Sequence, residues 1–76
     1  MTPYRNLKGS SNVLSYEIAE DAIQVVFKTG TNRNYLYNHL RPGKLIVDRM
    51  KALAVQGNGL NSYISTTVKS SFAKKW

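Results

Sequence analysis

From Val13 the chain alternates apolar and polar positions, with Leu14, Tyr16 and Ile18 on one side and Ser15 and Glu17 on the other. A period of two predicts a half-buried strand. Glu20-Asp21 interrupts the run. The alternation resumes over Ala22 to Thr29, where Ile23, Val25 and Phe27 oppose Gln24, Val26 and Lys28, so the two runs predict an antiparallel hairpin. Thr29-Gly30-Thr31-Asn32 carries turn chemistry, because Gly and Asn tolerate positive φ. A third strand, Arg33 to His39, then completes a meander.

The period changes after Arg41-Pro42-Gly43. Leu45, Ile46, Met50, Leu53 and Ala54 recur at helical spacing and predict a helix from about Pro42 to Gln56, with Pro42 near its start. Lys44, Asp48 and Lys51 share another face at i, i+4 and i+7. Gly57-Asn58-Gly59 ends this helix. Leu60, Ile64, Val68, Phe72 and Trp76 repeat every four residues and predict a second amphipathic helix, with Asn61 a candidate N-cap. Its Ser and Thr residues are weak helix formers, so a short helix fraying after about Lys69 weighs equally with a full one. The expected fold is α+β: a three-stranded antiparallel β-meander followed by two α-helices packed on one face. Residues 1–11, polar and bearing Pro3, Arg5, Lys8 and Gly9, read as a flexible basic arm ahead of a single domain over 12–76.

Seventy-six residues leave room for one core, and 42% hydrophobic residues with 20% charged residues place the chain among globular sequences. The opening residues lack the apolar stretch of a secretory signal, and no apolar run reaches bilayer length. A cytoplasmic protein without membrane attachment is the expectation. Eleven Lys and Arg against four Asp and Glu give a net charge of +7, which raises the local concentration of polyanions around so small a body.

Catalytic raw material is scarce: one His, no Cys and four carboxylates. Glu17, Glu20 and Asp21 read as solvated charges at the first reversal, and Asp48 answers to its lysine neighbours. His39 has no second His or Cys with which to hold a metal, and the glycines fit no phosphate-cradling template. No enzyme activity, cofactor or metal is expected.

Binding chemistry concentrates in Tyr35-Leu36-Tyr37, flanked by Arg33 and Arg41, and in the basic tail of Lys69, Lys74, Lys75 and Trp76. Two tyrosines on one exposed strand face, bordered by guanidiniums, would stack unpaired bases while the cations meet phosphates. The alternative, weighed more heavily, sends both tyrosines into the core, where two aromatic rings bury more area than one leucine. The lysines either grip phosphates or are simply solvated, and Trp76 packs back on the sheet.

The order of Ser11, Ser15-Tyr16, Val26-Phe27, Gly30, Tyr35-Leu36-Tyr37, Pro42, Gly57 and Leu60-Asn61-x-x-Ile64 resembles the KTSC domain. That family is a short module at the C-terminus of some lysyl-tRNA synthetases and a stand-alone protein in bacteria and phages. The similarity spans about Ser11 to Val68 and departs in the Thr31-Asn32-Arg33-Asn34 turn, at Val55 and at Ser65. It implies the fold above and a tie to RNA. The expected function is therefore non-catalytic binding of nucleic acid, RNA or single-stranded, through Arg33, Tyr35, Tyr37, Arg41, Lys69, Lys74 and Lys75. The alternative is a protein-interaction module, such as a phage or bacterial regulator, docking on an acidic partner. A monomer or weak dimer fits either.

Overall fold

A computed structural model describes residues 1–76. The chain is α+β, with one antiparallel sheet of order β1-β2-β3-β4-β5: β1 Thr2–Pro3, β2 Val13–Ala19, β3 Ala22–Phe27, β4 Asn34–Asn38 and β5 Lys74–Lys75. Helix α1 spans Lys44–Gln56, and α2, Leu60–Tyr63, runs into a π-type turn over Ile64–Val68. No helix is long and apolar enough to cross a membrane.

The expected three-strand meander is the centre of a five-stranded sheet. Ile23, Val25, Tyr37 and Tyr16 point to the helical side, as the alternation predicts, and are buried with Val47, Met50, Leu53, Leu60, Ile64 and Val68. In β2 the register shifts between Val13 and Ser15. One extra residue there lets Val13 oppose Phe27 on the core face, so Val13 is buried while Leu14 stays exposed. In the first helix Met50, Leu53 and Ala54 are buried and Ile46 packs against the core, as the spacing predicts, but Val47 joins them while Leu45 is 87% exposed. The helix begins at Lys44, after Gly43, which places Pro42 outside it.

Both edge strands were too short for a period to reveal. Thr2 and Pro3 pair with Tyr16 and Ser15, Tyr4 N donates to Leu14 O at 3.0 Å, and the Tyr4 side chain is buried. Residues 2–5 are thus part of the domain rather than a free arm. The Tyr4 hydroxyl accepts the Leu60 N–H at 3.2 Å, meeting one of the unpartnered donors that start α2, where Gly59 rather than Asn61 occupies the cap. Arg5 donates to Val55 O at the C-terminal end of α1, where a cation complements the helix dipole. Its Cβ lies 2.7 Å from where a Cβ on Gly57 would sit, and Gly57 has φ +73. Only glycine meets both demands at that helix end.

The second helix takes the shorter of the two expected courses and ends at Val68. Val68 is its last buried residue, and Lys69 breaks it with φ 53 and ψ −123. With Ser71 N donating to Val68 O at 3.1 Å, Lys69 holds the first central position of a type II′ turn, a place that favours glycine. The turn redirects Phe72 onto Tyr35 and lets Lys74–Lys75 pair with Leu36 and Tyr35.

Candidate nucleic-acid interface

A cleft of about 480 Å³ opens at the β3–β4 turn, between the sheet and the end of α2. Thr29, Thr31 and Asn32 form its turn wall, Asn61 and Ser65 its helical wall, and Phe27, Tyr35 and Tyr37 its apolar floor. Lys69 reaches it from the type II′ turn and Lys75 from β5. No carboxylate lines it, since Glu17, Glu20, Asp21 and Asp48 all lie elsewhere. Its lining is mostly polar over that apolar floor. Two ammonium groups with amide and hydroxyl donors suit an anion, and phosphate above all.

The floor is an aromatic cluster. Tyr35 meets Phe27 and Phe72 edge to face, at 5.3 and 5.1 Å between ring centres, and lies parallel to Tyr37 at 6.5 Å. Tyr37 is 1% exposed and Tyr35 half-buried. The pair is therefore packed as core, the placement the sequence favours, rather than as an exposed stacking platform: the helices cover the face on which both rings lie. What Tyr37 presents to the cleft is its hydroxyl edge. Burial, with Tyr35 beside it, pushes its ionisation well above the ordinary tyrosine range, so the group remains an O–H donor.

The seven residues singled out in the sequence separate in space. Tyr35, Tyr37, Lys69 and Lys75 converge on the cleft. Arg33 flanks it, exposed, in the turn before β4, its carbonyl accepting the Phe27 N–H at 2.8 Å. Arg41 lies past the opposite end of β4, where Asn38 Oδ1 accepts its N–H at 2.9 Å. Lys74 faces the other side of the sheet, its ammonium 5.5 Å from the centre of the Trp76 ring. Phe27, Asn61, Ser65 and the β3–β4 turn polar groups were not singled out, although the turn's proximity to Tyr35 was implicit in a tight hairpin.

Elsewhere the polar groups are structural. Lys44 Nζ binds Asp48 Oδ2 at 2.7 Å, and that hydrogen bond holds the Asp48 carboxyl below the usual range. Lys51 Nζ donates to Glu20 O at 2.9 Å. His39 Nε2 is buried without a partner, and no three His, Asp or Glu side chains converge as a metal site would require. Compared with protein-family models, with curated proteins and with solved structures, the chain matches none.

Proposed function

We propose that this chain is a non-catalytic module that binds RNA or another single-stranded nucleic acid, chiefly through its phosphates. The observation that carries the reading is the cleft in which Lys69 and Lys75 stand with amide and hydroxyl donors and no carboxylate, on a chain of net charge +7. Lys69 adds weight because it is held in a backbone conformation costly for any residue but glycine, and such strain concentrates at functional sites. The π-type turn before it is another feature frequent at such sites. The resemblance to the KTSC domain, attached to enzymes that charge tRNA, points the same way.

A single strand suits the cleft better than a duplex, since a phosphate of a flexible strand can enter between the hairpin turn and α2. RNA is the favoured ligand. The test is fluorescence anisotropy of labelled single-stranded RNA, duplex RNA and single-stranded DNA across a salt series, with wild type and Lys69→Ala/Lys75→Ala. Single strands should bind best, and the folded double variant should lose about 1.4 from the slope of log affinity against log salt, about 0.7 per phosphate contact. Equal binding by the variant would exclude the cleft.

Docking on an acidic protein is the second reading. Leu40, in the β4–α1 connection, and Leu45, in the first turn of α1, are 89% and 87% exposed and adjoin Arg41 and Lys44 in the sequence. Replacing both leucines by serine should leave RNA affinity unchanged and abolish capture of an acidic partner, if that surface is used.

A further inference from the structure

The helices cover one face of the sheet, and the other is open. On β5 the side chains alternate: Lys75 opposes Tyr35 on the cleft side, while Lys74 opposes Leu36 on the open side. Trp76 continues this alternation. Its backbone N and O pair with Asn34 at 2.9 and 3.0 Å, which puts its indole on the open face with Lys74. Gln24, hydrogen-bonded to Asn34 at 3.1 Å, and half-buried Leu36 and Val26 continue that face inward. Glu17 is the one carboxylate in the same cross-strand row as Lys74. It lies three strands away and faces the chain's own N-terminal ammonium at 3.7 Å.

We infer that Trp76 and Lys74 form a second contact for the strand gripped in the cleft, with Trp76 stacking an unpaired base and Lys74 taking its phosphate. This rests on the nucleic-acid reading and adds the place where a base is held. Tyr35 and Tyr37 are packed among other rings, whereas Trp76 is 46% exposed and lies on a sheet edge that nothing covers. A strand leaving Lys75 passes over that edge and meets Lys74 and Trp76 on the far side. In the free protein the Lys74 ammonium caps the indole, 5.5 Å from its centre. An exposed cation–π contact is weaker than base stacking, so a base displaces the ammonium toward its own phosphate. Charge complementarity selects a polyanion with planar groups, which is a single-stranded nucleic acid.

Trp76 is the only tryptophan of the chain, so its emission reports the contact directly. The full chain is titrated with a labelled oligouridylate while anisotropy and indole emission are followed together, for wild type, Trp76→Ala and Trp76→Phe, with folding checked by circular dichroism. The expected result is quenching that tracks the anisotropy curve, affinity reduced on the order of tenfold in Trp76→Ala, and partial retention in Trp76→Phe. Anisotropy that rises normally with unchanged emission and wild-type affinity of both variants overturns the stacking role and leaves the cleft reading standing. No rise for any protein overturns both.

Discussion

Replacing Lys69 with glycine should stabilise the fold while weakening its hold on phosphate. At φ 53 and ψ −123 Lys69 sits in a region that costs a residue with a Cβ about 1–3 kcal/mol. Glycine removes that strain and gives back about 0.5–1 kcal/mol through the greater freedom of the unfolded chain. The Lys69 side chain is exposed, so its removal uncovers no core. The net gain is about 1 kcal/mol, which for a domain of this size raises Tm by about 4–8 °C. Thermal unfolding by circular dichroism measures it. Lys69→Ala serves as the control, since it loses the charge and keeps the strain, and should show no such rise. Both variants should lose one phosphate contact, about 0.7 in the salt slope for single strands. A Tm for Lys69→Gly at or below wild type refutes the claim that this lysine is held against its backbone preference.

Three further substitutions probe the same framework. Tyr4→Phe leaves the buried Leu60 N–H without an acceptor and should cost about 1–3 kcal/mol in urea unfolding. Gly57→Ala combines the left-handed penalty with a clash against the Arg5 Cβ at 2.7 Å, so a loss of about 2 kcal/mol or more is expected in the same assay. Tyr37→Phe should fold normally at neutral pH and flatten the alkaline decline in stability. Because burial raises the Tyr37 pKa in the folded state, its neutral form contributes fully below the unfolded value of about 10. That contribution falls as pH rises beyond it, by up to about 1.4 kcal/mol per pH unit, in urea unfolding from pH 9 to 11.

The central hairpins and first helix were legible because Ile23, Val25 and Phe27, and then Met50, Leu53 and Ala54, repeat over several turns or pleats with one buried face. Leu14 misled because a single inserted residue in β2 puts Val13 on the core face in its place, which composition does not register; Leu45 lies at the rim of the first helical turn, where Val47 and Ile46 take the core side. Thr2–Pro3 and Lys74–Lys75 carry no periodic signal, and their pairing is set by contacts distant in sequence, Tyr4 with Leu60 and Phe72 with Tyr35. The repeat of Phe72 and Trp76 matched a helix by spacing alone; the strained turn at Lys69, which a lysine does not announce, instead sets Phe72 against Tyr35 and leads the chain into extended backbone at β5. For the same reason Lys74 and Lys75, adjacent in the chain, belong to different surfaces. Tyr35 and Tyr37 were correctly placed on one face, and the helices' choice of that face made them core.

The central claim is that the cleft between the β3–β4 turn and the end of α2 receives the polyanion. Amide chemical shifts of the nitrogen-15-labelled chain, titrated with a short oligouridylate at about 0.15 M salt, test it residue by residue. The account predicts shifts concentrated at Thr29, Thr31, Asn32, Ser65, Lys69 and Lys75, with the Glu20-Asp21 turn at the other end of the sheet unmoved. Shifts centred on that turn or on α1, or none at saturating oligonucleotide, contradict it.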